Sequence, residues 1–494
     1  MRQLSAGDQA TDVPASSLGL GSRALRNTVI VLAAKVLARL IALFTVLYMV
    51  RWLGPPGYGS FSVLINLSAI ASVLLDLGFN VLFVREGARE HAAIQRYLRN
   101  VMSLRLLMSI AAFVVLAALV IPIGLGHLLI PGFVLMVLTS YSTLLRNGLY
   151  AVQQLGFEAI AVVLESALLL GLVFYGVKTR QGVAYFVWAY AAQYAFSCVY
   201  FAVVLAAKRI ATIGWSFEPA LLREWFFKGL PFALTFVLTI IYFRIDQPLI
   251  DIFRGLREAG LYGAAYKPIE SLLFVPITFL SVVFPVLSVY HRDRPSEMLY
   301  AINRFYKGLL LMGWPVSVGI FVLAGPLTPL LLGRDYLASE AALRVLALAL
   351  GIAFVNNAFI GALNASDRQL SFSWAAGWSV VVNVVLNLIL IPLYGFQGAS
   401  WATVLTELTL GAVAWVLTAR HIGRVAVVSL SWRIILAGLI MGVAIYPLSS
   451  VSGFEVAIPI FAGAAVYAAA VLLLRALSAD EIAWARRALA TART

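Results

Sequence analysis

The segment that decides the fold is residues 27–50, NTVIVLAAKVLARLIALFTVLYMV. Its only charged side chains are those of Lys35 and Arg39. A helix needs about 20 predominantly apolar residues to cross the hydrocarbon core of a bilayer. Because this run is continuously apolar rather than alternating, it predicts a transmembrane helix and not a strand of a membrane barrel.

Similar runs fill most of the 494 residues. The predicted spans are 27–50, 58–83, 100–123, 128–149, 158–177, 181–206, 226–250, 262–289, 306–331, 343–363, 372–392, 398–418, 433–449 and 455–475. Hydrophobic residues make up 62% of the chain and charged residues only 12%, against about 25% charged in soluble domains. This composition excludes a soluble enzyme, and the predicted fold class is an all-α polytopic membrane protein with 14 transmembrane helices.

The basic residues predict the orientation. If the N-terminus is cytoplasmic, 24 of the 36 Lys and Arg residues fall on the cytoplasmic side or at the cytoplasmic ends of spans, seven fall on or near the outside, and five lie within spans, away from their ends. The positive-inside rule therefore predicts that both termini are cytoplasmic. The net charge of +14 is spread over short tracts between the spans, which argues against a nucleic-acid partner. One cysteine, Cys198, and four histidines leave little for a metal site, and no cofactor is expected.

Short turn motifs recur in the same order in the two halves of the chain. The matching pairs are Gly57-Tyr-Gly59 with Gly260-Leu-Tyr-Gly263, Gln154-Leu-Gly-Phe157 with Gln369-Leu-Ser-Phe372, and Tyr175-Gly176 with Tyr394-Gly395. A duplication of six spans in the same orientation is an arrangement found in many transporters. It predicts two six-helix lobes that flank a central cavity, with spans 13 and 14 as an addition.

The predicted domain limits follow from this duplication. They are a cytoplasmic N-terminal segment 1–26, an N-lobe 27–207, a cytoplasmic linker 208–224, a C-lobe 225–419, spans 13 and 14 within 420–475, and a cytoplasmic tail 476–494. The tail opens with Ser478-Ala-Asp-Glu481, the pattern of a capping box at a helix start.

Charged residues inside the spans are the candidate functional groups. A charge at the centre of a membrane helix costs at least about 2.5–3.5 kcal/mol, so its presence points to function. The cations are Lys35, Arg39, Arg105, Arg244 and Lys267, and the acids are Asp76, Glu165, Asp246, Glu270 and Glu407. We expect the cations to line a substrate cavity and the acids to act as counter-ions or in ion coupling.

Structural alternatives exist for several of these residues. Lys35 and Arg39 share one helix face, but Lys35 can also extend to the cytoplasmic surface, as can Arg105. Lys267 and Glu270 can neutralise each other within one helix. The two other deeply placed acids, Glu165 and Glu407, suit either a counter-ion for the cations or a titrating group.

Three motif regions carry a resemblance to a known family. They are Arg51-Trp-Leu-Gly-Pro-Pro-Gly-Tyr-Gly59 with Leu75-Asp-Leu-Gly78; Gly229-Leu-Pro-Phe232, Tyr242-Phe-Arg-Ile-Asp-Gln-Pro248 and Glu258-Ala-Gly-Leu-Tyr262; and Pro392-Leu-Tyr-Gly-Phe-Gln-Gly398. With them, the sequence resembles the Wzx-type polysaccharide (O-antigen) flippases. That group belongs to the multidrug/oligosaccharidyl-lipid/polysaccharide (MOP) exporter superfamily, with the MATE transporters and the lipid II flippases.

The resemblance implies movement of a polyprenyl-diphosphate-linked oligosaccharide from the inner to the outer leaflet of a bacterial plasma membrane. It also implies a two-lobed fold, a lipid-tail groove formed by spans 13 and 14, and contacts of Lys35, Arg39 and Arg244 with the diphosphate. Membrane lipids and a glycosyltransferase or polymerase of the same pathway are the expected partners. A MATE-type drug antiporter and a membrane oligosaccharide polymerase or ligase are the alternatives, although an enzyme of that kind usually needs a large outside loop.

Overall fold

The computed structural model describes residues 15–478 and residue 481, and that part of the chain contains helices and no strands. Of the predicted terminal segments, residues 1–14, 479–480 and 482–494 lie outside the described part. The helices are α1 (Ala15–Ala71), α2 (Val73–Asp76), α3 (Phe79–Arg89), α4 (Ile94–Val120), α5 (Leu129–Ala151), α6 (Leu155–Lys178), α7 (Val183–Ala207), α8 (Pro219–Arg244), α9 (Asp246–Arg254), α10 (Leu256–Leu272), α11 (Phe274–Asp293), α12 (Pro295–Leu331), α13 (Ser339–Ala365), α14 (Gln369–Tyr394), α15 (Phe396–His421), α16 (Val427–Ile445) and α17 (Ala457–Leu473).

Thirteen helical stretches of the described residues are long and apolar enough to cross a membrane. The first, Ala33–Asp76, is 44 residues long and covers the first two predicted spans. At Gly54 its backbone leaves the helical region, with φ 65° and ψ 172°, a conformation open essentially only to glycine. If the first stretch is counted as two helices, one on each side of this break, the total is 14, the number of predicted spans. The chain is therefore a multi-pass integral membrane protein.

Equivalent turns in the two halves have matching backbone conformations. Gly255, which precedes α10, has φ 86° and ψ 169°, close to the values at Gly54. The turns before α6 and before α14 each contain a left-handed residue, Gln153 and Asp367, both with φ 57°. These similarities support the internal duplication predicted from the sequence.

Three clusters of buried apolar side chains hold the helices together. One is shared by the two halves, α1–α7 and α8–α15, and includes Tyr58 and Tyr262. A second joins α16 and α17 to the second half, with Phe305 and Ile434 among its members. A third, around Phe201, lies mainly in the first half. The two halves therefore contact each other directly, and the last two helices pack on the second half.

Glycines bring the two halves into backbone contact at one end of the bundle. A Cβ atom placed on Gly59 of α1 would lie 1.9 Å from the carbonyl oxygen of Leu256. Reciprocally, a Cβ atom on Gly260 of α10 would lie 1.9 Å from the carbonyl oxygen of Pro55. Since no side chain fits there, main chain packs against main chain and closes this end, which the positive-inside rule predicts to face the outside.

A second glycine contact closes the opposite end. A Cβ atom on Gly78, just before α3, would lie 2.5 Å from the carbonyl oxygen of Gly229 in α8. One on Gly229 would lie 2.8 Å from the carbonyl oxygen of Leu77. Glycine contacts thus bring the two halves close together at both ends of the interface between them.

The connection between the halves, residues 208–218, is tied to α4 at this same end. Glu218 accepts hydrogen bonds from Arg96 and, at 3.0 Å, from Asn100. The hydrogen bond from Arg96 holds the pKa of the Glu218 carboxyl below its ordinary value. The backbone N–H of Ser216 donates to Ser103 at 3.0 Å. We call this end of the bundle the linker end.

Substitution of Gly59 or Gly260 at the contact between α1 and α10 should destabilise the closed arrangement. Gly59→Ala and Gly260→Ala each place a methyl group where α1 and α10 touch, and overpacking of this kind costs about 1–3 kcal/mol. We expect a lower apparent melting temperature of the purified protein for both variants. Gly171→Ala in α6 is the matched control, because a Cβ there meets nothing within 4 Å. A melting temperature unchanged by Gly260→Ala would contradict the close contact.

Candidate functional site

Four charged side chains meet between the two halves and form the central cluster: Arg39, Arg244, Lys267 and Glu270. The Glu270 carboxylate lies 2.7 Å from Lys267 Nζ and 3.6 Å from Arg244 Nη2. Arg39 donates a hydrogen bond to the backbone carbonyl of Glu270 at 3.2 Å. Two cations contact the one carboxylate and the third contacts the backbone of the same residue, so the central cluster carries a formal charge of +2.

The central cluster spans the boundary between the halves. Arg39 comes from α1, Arg244 from the last residue of α8, and the pair Lys267 and Glu270 from α10. Arg244 also donates to Asn66 of α1 at 3.3 Å. The side chains of Arg244, Lys267 and Glu270 remain 33%, 27% and 26% exposed, so their charged groups are accessible to a ligand.

A tyrosine beside the central cluster has an unused hydroxyl. Tyr58 is fully buried, and its OH has no hydrogen-bond partner among the described residues. It lies in the electrostatic field of Glu270 and Arg244. This hydroxyl and the surplus cations leave the centre of the molecule with donors that the chain itself does not satisfy.

An apolar groove opens next to Arg39. It encloses about 380 Å³ between α1 and the α10–α11 segment, and Val36, Leu40, Val275 and Val282 line it together with Arg39. These four apolar side chains are all exposed on the outer surface. The groove therefore connects the central cluster sideways to the membrane.

Lys35, one turn before Arg39, points to a different partner. Its Nζ lies 3.3 Å from the carboxylate of Glu158, which also accepts a hydrogen bond from the hydroxyl of Tyr150. Lys35 is therefore separated from the central cluster and neutralised within the first half. Sequence analysis does not identify Glu158, because it lies at the very start of predicted span 5.

Arg105 is also placed away from the central cluster. Its side chain is 1% exposed and lies 3.3 Å from the Asp76 carboxylate. It donates to Asn80 at 2.9 Å and to the carbonyl oxygen of Ser140. With its guanidinium enclosed in this way, Arg105 holds α4, α5 and the α2–α3 turn together.

The counter-ion of Glu165 is Arg146, a residue near the end of predicted span 128–149 that sequence analysis counts with the cytoplasmic positive charges and not among the candidate cations. Arg146 Nη2 lies 2.9 Å from both carboxylate oxygens of Glu165, and Ser197 donates to the same carboxylate at 2.6 Å. Arg146 lies within α5 and its side chain is only 23% exposed. Its position near the end of an apolar run concealed this interior role.

Asp246 has only neutral hydrogen-bond partners. It accepts from the hydroxyl of Tyr262 at 2.6 Å, from Asn387 at 2.8 Å and from Thr403 at 3.5 Å. Asn383 adjoins the site by accepting from Asn387 at 3.2 Å. No cation lies within ion-pair distance of Asp246 among the described residues.

Glu407 is held in the same manner. It accepts from the hydroxyl of Tyr242 at 2.7 Å and from Asn356 at 2.8 Å, and it borders a small cavity lined also by Tyr266 and Thr403. Among the described residues it has no ion-pair partner. The second half thus contains two acids that are hydrogen-bonded but not neutralised, whereas Asp76 and Glu165 in the first half are each paired with an arginine.

Comparison with known proteins supplies a family match. The model of the family described as "Polysaccharide biosynthesis protein" matches residues 24–291, more than half of the chain. The "Probable low-salt glycan biosynthesis flippase Agl15" of Haloferax volcanii is 24% identical over 228 residues, 45% of this chain and 47% of that protein. An uncharacterized membrane protein of Methanocaldococcus jannaschii is 20% identical over 38% of each chain. The chain therefore spans less than half the length of the curated relatives it matches.

Solved structures resemble the chain over a larger part of its length. The lipid II flippase MurJ in its inward closed conformation superposes with a TM-score of 0.76 at 16% identity, covering 90% of this chain and 99% of that one. An inward-facing multidrug resistance MATE family transporter of the MOP superfamily gives a TM-score of 0.65 at 16% identity, with 78% and 98% covered. The chain has the MurJ/MATE-like fold, which confirms the predicted fold class.

The buried Arg105–Asp76 pair yields a stability prediction. Asp76→Asn leaves the Arg105 guanidinium buried without its counter-charge, and breaking such a pair costs about 3–5 kcal/mol. We expect a marked fall in apparent melting temperature and in the yield of folded protein. The control is Glu224→Gln, which breaks an exposed pair with Lys228 and should change stability by less than about 1 kcal/mol. Equal melting temperatures for the two variants would show that the Arg105 pair is not structural.

Proposed function

Because the chain belongs to the polysaccharide biosynthesis protein family, we propose that it is a flippase for a lipid-linked oligosaccharide. The cargo is a glycan attached through a diphosphate to a polyprenyl chain, moved from the cytoplasmic to the outer leaflet of the plasma membrane. Cell-surface polysaccharide synthesis is the process it serves. A glycosyltransferase and a polymerase of the same pathway would supply and consume the cargo.

The observation that carries this proposal is the surplus positive charge of the central cluster beside an apolar groove. A diphosphate binds best to arginine and lysine, which donate charge-assisted hydrogen bonds. In this arrangement Arg39 and Arg244 hold the diphosphate, while the lipid tail lies in the groove lined by Val36 and Leu40. The groove runs beside α1, not along α16 and α17, where the family resemblance places the tail.

Movement follows from the contacts between the halves. Glycine contacts close both ends, so a rigid rotation of one half against the other can open one end while the other stays shut. A diphosphate would replace Glu270 as the partner of Arg39 and Arg244. Substrate binding would thereby weaken the bridge from α1 to α8 and α10, and the halves would separate more readily.

Asp246 and Glu407 are the proposed coupling groups. A carboxylate in the membrane without a cationic neighbour favours binding of a proton or a metal cation. Both acids belong to the second half, α8–α15, so the gradient would act on that half. Lys35, Arg105, Asp76 and Glu165 would maintain the first half, because each is already paired there.

A MATE-type antiporter for organic cations is the second candidate, since it shares the fold. It requires an acidic cavity, whereas the central cluster has three cations and one acid. A membrane polymerase or ligase is a weaker alternative, because the outside connections are short. The decisive experiment deletes the gene and measures lipid-linked oligosaccharide on the inner leaflet together with drug sensitivity. Accumulation with unchanged drug sensitivity supports the flippase, and increased drug sensitivity without accumulation supports the antiporter.

Substitution of the cluster arginines should impair transport. Arg39→Gln and Arg244→Gln each remove a charge-assisted hydrogen bond worth about 1.5–3 kcal/mol, so we expect transport of a fluorescent polyprenyl-diphosphate oligosaccharide into reconstituted vesicles to fall about tenfold or more. Glu270→Gln should instead strengthen binding, because it removes the competing carboxylate. Lys228→Gln at the linker end is the expression-matched control. Full transport by both arginine variants would exclude the central cluster as the binding site.

The coupling groups should affect the gradient dependence and not the binding. Asp246→Asn and Glu407→Gln keep the size and most hydrogen bonds of each side chain, but remove the charge that a cation needs. We expect substrate binding within about twofold of wild type and loss of stimulation of transport by a proton or sodium gradient. The measurement compares transport with each gradient imposed separately. Retained stimulation in the double variant would assign coupling elsewhere.

A further inference from the structure

A second group of cations lies at the linker end, remote from the central cluster. Lys307 of α12, Arg433 of α16 and Arg475, just after α17, surround a pocket of about 180 Å³ together with Ser429 and Ser478. We call it the terminal pocket. None of these residues contacts the central cluster, and the proposed transport cycle does not use them.

One carboxylate of the chain already occupies the edge of the terminal pocket. Glu481 accepts a hydrogen bond from Lys307 Nζ at 2.6 Å and one from the backbone N–H of Ser478 at 2.7 Å. The N–H of Glu481 donates to the Ser478 hydroxyl at 3.2 Å, so the predicted capping box is confirmed. Burial alone would raise the pKa of the Glu481 carboxyl, but the hydrogen bonds from Lys307 and Ser478 outweigh burial and hold the pKa below its ordinary value.

This single carboxylate leaves the terminal pocket positively charged. The Lys307 side chain is only 13% exposed, so its charge is fixed in place. Arg433 donates to the backbone carbonyl of Arg475 at 2.8 Å, a contact that orients the guanidinium without neutralising it. Neither arginine has an ion-pair partner among the described residues, and the formal charge of the three cations and Glu481 is +2.

The surroundings of the terminal pocket suit a lipid. The Arg433 guanidinium stacks 5.1 Å from the ring centre of Trp432, and Trp432 is 50% exposed. Val428, one turn earlier on α16, is 80% exposed. Tryptophan is enriched where a helix crosses the membrane surface, and basic pockets between helices on the cytoplasmic side bind anionic lipid headgroups.

We propose that the terminal pocket binds the phosphate of an anionic membrane phospholipid, with the acyl chains lying along the exposed face of α16 near Val428 and Trp432. Arg433 and Arg475 contact the phosphate oxygens, and Lys307 is shared between the phosphate and Glu481. The bound lipid contacts α12, α16 and the residues after α17, and it therefore stabilises the packing of the last two helices on the second half.

The test measures lipid retention by the full-length protein with native mass spectrometry. The protein is purified from nanodiscs of phosphatidylcholine with or without phosphatidylglycerol. We expect wild type to retain phosphatidylglycerol in preference to phosphatidylcholine, and the Lys307→Gln/Arg433→Gln variant to bind it with an affinity reduced roughly five-fold for each charge removed. Glu481→Gln should raise retention, because it removes the competing carboxylate.

Two further variants distinguish a loss of lipid binding from misfolding of the protein. Arg475→Gln changes an exposed side chain and keeps the carbonyl that Arg433 contacts, so a roughly five-fold loss is expected without a folding defect. Arg304→Gln alters a neighbouring exposed arginine of α12 that stacks on Tyr300 and should leave retention unchanged.

Three results would overturn the proposal. They are equal retention of phosphatidylglycerol by wild type and Lys307→Gln/Arg433→Gln, no preference of wild type for phosphatidylglycerol, and full competition by glycerol phosphate. The last result would mean that the ligand is a soluble phosphate. All these readouts are binding measurements, so their failure would leave the proposed transport function untouched.

Discussion

Charge compensation inside the membrane is the constraint on which the rest of this structure depends. An ionised side chain in hydrocarbon is retained only with a partner or a task. The first half meets the requirement with complete pairs, namely Lys35–Glu158, Asp76–Arg105 and Glu165–Arg146. At the boundary between the halves three cations share Glu270. This surplus of positive charge lies beside the apolar groove at the boundary between the halves, and that coincidence is the basis for placing the proposed anionic headgroup there.

The cations of the central cluster also connect the two halves. Arg39 reaches from α1 to the backbone of Glu270, and Arg244 reaches back to Asn66. A ligand changes a conformational equilibrium only through different contacts in the two states. A diphosphate that takes over Arg39 and Arg244 alters these bridging contacts directly. Under the proposed function, the groups that recognise the cargo are therefore also the groups whose release allows the halves to move.

The fold could be predicted almost completely from the sequence, because hydropathy and helix length are local properties. The helix break at Gly54 and the equivalent break at Gly255 in the second half lie in glycine-containing turns that are visible in the sequence. The partners of the charges could not be predicted, since they depend on how each helix is rotated against its neighbours. Lys35 and Arg39 share a helix face, yet Lys35 meets Glu158 of α6 whereas Arg39 meets α10.

The two halves share a fold but differ in how their buried acids are neutralised. This asymmetry indicates that the two halves have different roles. If the two halves had equivalent roles, their buried acids should be neutralised alike. Instead Glu165 has Arg146 beside it, whereas Glu407 and Asp246 are held by neutral donors. A paired acid stays ionised and rigid, but an acid with neutral donors can gain or lose a cation without breaking an ion pair. Under the proposed function, the first half keeps its shape while the second responds to the gradient, and a rocking motion powered from one side would require that difference.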